Sequence, residues 1–528
     1  MKRMKKLVTL LLSLVMLCAL AMPAMAAEPT YSITITGAKG HTYTAYQIFK
    51  GVYYQGDGSN NTVTGKEYLS DVQWGDDIND IALLEELKTS TKFGTDFANK
   101  NSAEEVAGVL HNYGDQSEKL DEFARIVGKH LKTDAIGKSG TASDADNKAT
   151  ITGLSAGYYF VKDTGTIGDG EIATKFLVRV VGNAEVNIKA EAPKIEKKIV
   201  DTDGNETNHT SANIGEPVDF KLTVKVPDMA SFEDYTFTIS DTMSNGLTFD
   251  ASSVVVKIGS TKLTADTDYT LTPPTDPATN NIFTITFTKA QLAAHVTHGT
   301  GATIVVTYQA ALNENALNTE KETNIATLTY PKDPSVDGTG TVSTPATYVY
   351  NFNMDVDKHD GTDINKKLEK AVFVLYKDNG TDKEYYKQDA NKNVTWVAEA
   401  EKETAATQKT TDATGKATFE GLKAGTYYLE EITAPRGYNK LKAPEKVEII
   451  ASYDADGTLN TNVAGCKLTQ AAVGSHYYQV QSIANKAGAV LPSTGGIGTT
   501  IFYVLGSILV LGAAVLLIVK KRMKDQER

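Results

Sequence analysis

The chain has 528 residues, of which 41% are hydrophobic and 22% are charged, and its formal net charge is −12. A chain of this length is expected to form several domains, each able to bury an ordinary core, and its acidic balance argues against nucleic acid or anionic lipid as a partner. Tyr occurs 25 times and Trp twice, a composition typical of strand-rich, turn-rich proteins.

The N-terminus has the pattern of a signal peptide. Basic residues within positions 2–6 precede an apolar run over residues 7–22, and the small residues 24–26 supply a cleavage site. We therefore predict that residues 1–26 are removed and that the mature chain is exported.

Cysteine and histidine offer little chemistry. Cys18 leaves with the signal peptide, so the mature chain keeps Cys466 alone and cannot form an internal disulfide. The 8 histidines form no cluster with metal-ligand spacing. We expect neither a metal nor a cofactor.

Residues 27–190 are predicted to form a first domain whose strands are interrupted by a helical insert. Between Asn79 and Leu131 the apolar residues recur at helical spacing, and Ser102 with Glu105 forms a capping box. Alternation of apolar and polar residues surrounds this segment on both sides.

An internal repeat relates the first domain to the last. The segment KATITGLSAGYYFVKD (148–163) aligns without a gap with KATFEGLKAGTYYLEE (416–431). The alignment places Asp163 opposite Glu431.

Two further strand-rich domains are predicted, over residues 191–347 and 348–488. Runs such as FKLTVKV and YTFTISD alternate and are bounded by Gly, Asn, Asp and Pro, which is typical of a β-sandwich. The predicted fold class is mainly β, with tandem Ig-like β-sandwich domains.

Several polar residues fall on the apolar faces of predicted strands, because side chains at i and i+2 share one face. In the middle domain these are Lys197, Asp241 and Asn324. In the last domain Lys358 and Glu431 do the same, and Asn485 follows on a mixed face.

A buried lysine beside a carboxyl group allows two interpretations. One is an ordinary buried salt bridge with a nearby amide. The other is that burial neutralises both groups. A neutral lysine is a nucleophile that could attack the asparagine and release ammonia, forming an isopeptide bond in a single turnover.

The C-terminus, residues 491–528, has the pattern of a membrane anchor. LPSTGG (491–496) precedes an uncharged run over 497–519, long enough to cross the roughly 30 Å hydrocarbon core. Basic residues follow at 520–524, and they place the preceding chain outside the cell.

These motifs carry a resemblance to a known family. YYLEEITAPRGY (427–438) resembles the E-box of Gram-positive pilins and of collagen-adhesin B-type domains, and the LPSTGG tail is similar to a sortase sorting signal. Over nearly its whole length the chain resembles the LPXTG-anchored, isopeptide-forming backbone pilins. The resemblance implies a structural shaft subunit with a role in adhesion, anchored to the cell wall, rather than an enzyme; the alternative is a monomeric wall-anchored adhesin or minor pilin.

The resemblance also implies roles for the inward polar residues. It implies a Lys197–Asn324 bond promoted by Asp241. It likewise implies a Lys358–Asn485 bond promoted by Glu431. No such bond is expected in the first domain, because the opening strand YSITITG has no inward lysine.

In the family, a sortase recognises the motif that Leu491, Pro492, Thr494 and Gly495 match here, and it cuts between the last two. The resulting thioester at Thr494 is passed to a pilin lysine or to a peptidoglycan amine. The implied partners are therefore sortase, neighbouring and accessory pilins, peptidoglycan and an unidentified host ligand.

Two lysines compete as the nucleophile that joins subunits. Lys332 completes a YPK sequence, but at the end of the middle domain. Lys189 lies at the end of the first domain, where the family places its lysine, and alternation turns it outward. We predict Lys189, with Lys332 as the alternative.

Overall fold

The structure is a computed structural model of the chain. It describes residues 29–37, 39–57, 59, 64–113, 118–143, 145, 147–188, 193–226, 232, 234–296, 302–334, 338–489 and 497–526. The predicted signal peptide, residues 1–26, lies outside the described residues.

The first region combines two sheets with three helices. Its elements are β1 (Tyr31–Thr36), β2 (Thr42–Gln55), β3 (Glu67–Trp74), α1 (Asp80–Thr89), a 3-10 helix (Thr91–Phe93), α2 (Ala103–Leu110), α3 (Glu118–Lys129), β4 (Lys138–Thr141), β5 (Lys148–Leu154), β6 (Gly157–Asp163), β7 (Lys175–Val180) and β8 (Ala184–Asn187). One sheet has the order β5-β1-β8, and the other has the order β3-β2-β6-β7 with β4 paired to β2. The three helices are the predicted insert, and Ser102 caps α2 by accepting from the Glu105 N–H.

The middle region is a β-sandwich. Its elements are β9 (Ile195–Val200), β10 (Glu206–Thr207), β11 (His209–Ser211), β12 (Pro217–Lys225), β13 (Thr236–Met243), β14 (Leu247–Ile258), β15 (Thr261–Lys262), β16 (Thr270–Thr272), β17 (Ile282–Thr288), α4 (Lys289–Ala293), β18 (Thr303–Leu312), a 3-10 helix (Glu314–Asn318), β19 (Glu322–Pro331), β20 (Thr339–Ser343) and β21 (Thr347–Tyr350). The two facing sheets have the orders β10-β9-β12-β18-β14-β15 and β11-β21-β19-β13-β17-β16, with β20 paired to β19. Alternate residues of these strands are buried, as the period of two requires.

The third region is a second sandwich. Its elements are β22 (Phe352–Asp360), β23 (Val372–Asp378), β24 (Lys383–Gln388), β25 (Val394–Ala398), a 3-10 helix (Glu399–Glu401), β26 (Lys409–Thr410), β27 (Lys416–Leu422), β28 (Gly425–Thr433), β29 (Glu445–Ile449), β30 (Leu468–Gln470) and β31 (Tyr477–Asn485). Its sheets have the orders β27-β22-β31-β30 and β25-β24-β23-β28-β29, with β26 paired to β23. The repeat seen in the sequence corresponds to two pairs of successive strands, β5-β6 and β27-β28, and in each pair the chain passes from one sheet to the other.

The middle and third regions share one apolar core, a single cluster of buried residues whose first member along the chain is Ile195 and whose last is Ile483. Ile214 donates its N–H to the Gly421 carbonyl at 3.0 Å and accepts from the Val394 N–H at 2.8 Å. Lys423 adds an ion pair with Glu216, at 2.7 Å between Nζ and Oε1. Main-chain hydrogen bonds and apolar packing therefore hold the two sandwiches together.

The first region contacts the middle one through the loop between β6 and β7. The Ala173 N–H donates to the Lys332 carbonyl at 2.8 Å, and Lys332 Nζ donates to the Ile167 carbonyl at 2.9 Å. The Thr341 N–H donates to Asp169 Oδ1 at 3.0 Å. This loop thus docks on the hairpin formed by β19 and β20.

The chain ends in α5 (Ile497–Gln526). Among the described residues, the segment Gly498–Gln526 of this helix is long and apolar enough to cross a membrane. Its large apolar side chains are exposed along its length. The observed elements confirm the predicted fold class: mainly β, with a helical insert in the first region and an apolar helix at the end.

Candidate functional site

The three inward polar residues of the middle sandwich meet in its core. Asp241 on β13 and Asn324 on β19 belong to adjacent antiparallel strands, in which Met243 faces Asn324. Lys197 lies on β9 of the opposing sheet, so its side chain reaches across the sandwich to them. All three residues are between 0% and 4% exposed.

A tyrosine joins these residues into one cluster. Lys197 Nζ donates to Asp241 Oδ2 and, at 2.7 Å, to the Tyr308 hydroxyl. That hydroxyl donates to Asp241 Oδ2 at 2.9 Å and accepts from Asn324 Nδ2 at 2.8 Å. All the hydrogen bonds of the cluster therefore lie within the buried apolar core.

Burial favours the uncharged forms of the lysine and the acid. Desolvation lowers the pKa of Lys197 to about 8, although the nearby Asp241 carboxylate opposes the shift. Desolvation also raises the pKa of Asp241 above its usual range. The rings of Phe220 and Tyr308, each 5.3 Å from Lys197 Nζ, form the apolar wall. Burial thus shifts the pair toward the neutral state in which an amine is nucleophilic.

Within the part of the chain that the structure describes, two oxygens of this cluster lack a hydrogen-bond partner. They are Asp241 Oδ1 and Asn324 Oδ1, both fully buried. Buried acceptors without a partner cost free energy, and a protonated Asp241 could donate to the asparagine oxygen. Such a bond would satisfy both atoms and polarise the carbonyl carbon for attack.

The third sandwich contains a second cluster of similar composition. Lys358 lies on β22 and Asn485 on β31, which are parallel neighbours in one sheet, with Lys358 facing Ile483 and Asp360 facing Asn485. Glu431 projects from β28 in the opposing sheet. Lys358, Glu431 and Asn485 are at most 2% exposed.

Contacts within the second cluster are direct. Lys358 Nζ donates to Asn485 Oδ1, donates to the Ile483 carbonyl at 3.3 Å, and lies 3.6 Å from Glu431 Oε1. Asn485 Nδ2 donates to Glu431 Oε1 at 2.8 Å, and the Leu441 N–H fixes the other carboxylate oxygen at 2.8 Å. Burial lowers the pKa of Lys358 to about 8. Amine, amide and acid thus lie in mutual contact.

The structure brings together the five residues that sequence alternation placed inside the two sandwiches, and Asn485, which the sequence left on a mixed face, is buried with them. Sequence reasoning missed Tyr308, which links the amine, the acid and the amide of the first cluster. A signal for it exists in TIVVTYQA, where Ile304, Val306 and Tyr308 share one face. Alternation marks this tyrosine as inward but does not show which side chains it meets.

The first region has a buried acid without a lysine beside it. Asp163, which aligns with Glu431, is paired with His41 at 2.5 Å between Oδ2 and Nδ1. Its Oδ1 accepts from the Gly165 N–H at 3.0 Å. Burial raises the pKa of Asp163, and His41 opposes that shift. The expectation that no bond forms here stays a prediction.

The candidate lysines for joining subunits differ in what the structure describes. Lys189 lies outside the described residues. Lys332 is held against the first region by its side chain and its main chain. Leu491, Pro492, Thr494 and Gly495 of the sorting motif also lie outside the described residues.

Three family models match successive parts of the chain. Residues 214–334 match the Gram-positive pilin backbone subunit 2, Cna-B-like domain. Residues 352–464 match the prealbumin-like fold domain SpaA. Residues 483–527 match the LPXTG cell wall anchor motif. The first two matches include the acids of the two clusters, and the third includes Asn485.

Known proteins resemble the chain over most of its length. The trypsin-resistant surface T6 protein of Streptococcus pyogenes serotype M6 is 22% identical over 435 residues, covering 67% of this chain and 74% of that protein. The solved T6 backbone pilin of serotype M6 S. pyogenes has a TM-score of 0.53 at 17% identity, covering 88% of this chain and all of that one. The full-length major pilin SpaD of Corynebacterium diphtheriae has a TM-score of 0.48 at 18% identity, covering 87% and 98%. The T6 match shows the same fold.

Proposed function

We infer the following from the premise that this chain is an LPXTG-anchored backbone pilin of the Gram-positive type, a structural protein displayed at the cell wall. Two internal Lys–Asn isopeptide bonds stabilise the subunit. A third bond, made by sortase, joins it to its neighbours. The observation that carries the first part is a buried amine, amide and acid in each of two cores, in direct contact in the third sandwich and joined through the Tyr308 hydroxyl in the middle one.

The chemistry of each internal bond follows from those contacts. In each core the neutral lysine Nζ attacks Cγ of the asparagine, and in the middle sandwich a protonated Asp241 hydrogen-bonds the carbonyl oxygen. A bond forms between Nζ and Cγ, the bond from Cγ to Nδ2 breaks, and one proton from Nζ leaves with the amide nitrogen as ammonia. The acid is regenerated, so each core reacts once and each bond makes the chain lighter by one ammonia.

Asp241 is the acid for the Lys197–Asn324 bond, supported by its raised pKa and its contact with Lys197. Glu431 is the acid for the Lys358–Asn485 bond, supported by its hydrogen bond from the leaving nitrogen. The bonds replace the disulfides that the mature chain cannot form.

Assembly joins a residue that follows the two described sandwiches in one subunit to a residue that precedes them in the next. Sortase cuts between Thr494 and Gly495, and the acyl group at Thr494 passes to Lys189 of the next subunit or to peptidoglycan. The helix that follows holds the substrate at the membrane until it is cut. Support for Lys189 over Lys332 comes from the contacts of Lys332 with Ile167 and Ala173, which keep that lysine at an internal contact.

An immunoblot of denatured cell-wall extract tests the assembly. Wild-type cells should give a ladder of high-mass species, and Lys189→Ala should reduce it to monomer. Lys194→Ala is the matched control, because this exposed lysine lies in the same connecting segment and should leave the ladder unchanged. A ladder that survives Lys189→Ala but not Lys332→Ala would overturn the assignment, and a wild type without a ladder would favour the anchored adhesin.

A further inference from the structure

The Tyr308 hydroxyl occupies the space between the two nitrogens that must exchange a proton. It is 2.7 Å from Lys197 Nζ and 2.8 Å from Asn324 Nδ2, and it accepts a hydrogen bond from each. It donates its own proton to Asp241 Oδ2 at 2.9 Å. One oxygen atom thus contacts the nucleophile, the leaving group and the acid.

The ring of Tyr308 is fixed by its neighbours. It stacks on Phe220 with ring centroids 5.3 Å apart, and it meets Phe249 and Phe283 edge to face at 5.8 and 4.9 Å. Tyr308 is 1% exposed. These contacts hold the hydroxyl in place and exclude the bulk water that would otherwise carry protons.

We propose that Tyr308 is a catalytic proton relay for the Lys197–Asn324 bond; the inference rests on the proposed function of that cluster. As Nζ attacks Cγ, the amine acquires a positive charge and must lose a proton. As the bond from Cγ to Nδ2 breaks, the amide nitrogen must gain one. The hydroxyl accepts the first proton and gives its own to the second nitrogen.

The step balances without any other reactant. Asp241 lends a proton to the asparagine oxygen during attack and recovers it when the carbonyl re-forms. Tyr308 loses one proton to Nδ2 and gains one from Nζ, so it ends as a neutral phenol. Burial and the neighbouring Asp241 raise the pKa of Tyr308 well above its usual value, so the two transfers are concerted rather than passing through a phenolate.

The second cluster needs no such relay. Among the described residues, the Lys358 amine and the Asn485 amide make polar contacts with each other, with Glu431 and with the Ile483 carbonyl. Glu431 Oε1 itself accepts from the leaving nitrogen, so one acid serves both transfers. Loss of the Tyr308 hydroxyl should therefore affect one bond and spare the other within the same molecule.

The experiment follows bond formation by intact mass. The full chain is made by cell-free synthesis with detergent, quenched in acid and denaturant at intervals, and weighed. Wild type should lose two ammonias. Tyr308→Phe should lose one promptly and the second at least about 100-fold more slowly, the usual contribution of general acid–base catalysis. Tyr235→Phe is the control, because this hydroxyl is also buried in the middle sandwich but has no hydrogen-bond partner among the described residues.

A second variant separates catalysis from positioning. Fluorotyrosine placed at position 308 alone keeps the ring and hydroxyl but changes the acidity of the phenol, so the rate of the middle bond should shift. An unchanged rate with fluorotyrosine, or a Tyr308→Phe chain that loses both ammonias at the wild-type rate, would overturn the relay. If wild type loses no ammonia, the proposed bonds themselves fail. If Tyr308→Phe does not fold, the fluorotyrosine rate decides.

Discussion

Replacing Asn324 with Ala should remove the bond of the middle sandwich and leave the cluster's remaining groups paired. Lys197 keeps its contacts with Asp241 and Tyr308, so no isolated charge is left in the core. The residues joined are 127 positions apart in sequence. For a crosslink closing a loop of that length, the chain-entropy model gives about 5 kcal/mol of stabilisation.

That loss is large for a sandwich of this size. At about 2–4 °C per kcal/mol, the midpoint of thermal unfolding of the middle region should fall by about 10–20 °C. Asn485→Ala should lower the stability of the third sandwich by a similar amount, because Lys358 and Asn485 are also separated by 127 positions. Each variant should be heavier than wild type by one ammonia beyond the mass of the substitution.

Calorimetry and intact mass spectrometry together measure this prediction. Asn281→Ala is the control, since this buried residue donates to the Ser244 and Leu247 carbonyls, away from the lysine. Its loss should cost about 1–3 kcal/mol through unsatisfied hydrogen bonds and leave the mass deficit unchanged. The reasoning would be refuted by a wild-type chain of full sequence mass, or by an Asn324→Ala chain that matches Asn281→Ala in both measurements.

Three further outcomes are expected. Above pH 8 the rate at which the Lys197–Asn324 bond forms should fall about tenfold per pH unit, because the Lys197–Asp241 pair then loses its last proton and none remains to polarise the amide. Quenched mass spectrometry measures this rate. A rate that keeps rising with pH would contradict the prediction. Asp163→Ala should have the same deficit of two ammonias as wild type, whereas a deficit one ammonia smaller than that of wild type would reveal a bond in the first region. Gly421→Ala should weaken the contact between the two sandwiches, because φ at this position is +71° and a Cβ would lie 2.5 Å from Ile214 Cγ1. The weaker contact should appear as faster proteolysis between the sandwiches, and an unchanged rate of proteolysis would argue against a tight junction.

Much of each cluster was readable from the sequence because strands have a strict period. A lysine, an acid and an asparagine on apolar faces must point into a core whatever the order of the strands, and Lys197, Asp241 and Asn324 do so. The same argument worked for Lys358. Alternation needs only local information, and this is why it succeeded.

What the sequence did not give depends on the order of strands within the sheets. Tyr308 lies on β18, which is separated from β9 by β12. Its contact with Lys197 spans 111 positions. Periodicity fixes the face of this tyrosine but carries no information on which strands become its neighbours.

Contacts between regions were equally hidden. The YPK sequence made Lys332 a candidate for joining subunits. In the structure its Nζ donates a hydrogen bond to the Ile167 carbonyl, in a loop of the first region. The sequence of the first region shows no inward lysine that could pair with Asp163, and it does not show that His41 is the partner of this acid. Neither contact leaves a pattern in the sequence, since each depends on how separate elements pack.

The placement of the two proposed bonds has a mechanical consequence for a chain joined through Lys189 and Thr494. In such a chain a pulling force would act on the residues before β9 and on those after β31. The two proposed bonds would carry this force from Lys197 to Asn324 and from Lys358 to Asn485. The first region lies outside this path. The longest stretch without a covalent bypass is residues 325–357, whose described strands are held by hydrogen bonds to their neighbours and by apolar burial. Extension of a loaded subunit is therefore concentrated between the two sandwiches, where the shared core and the contacts of Ile214 oppose it.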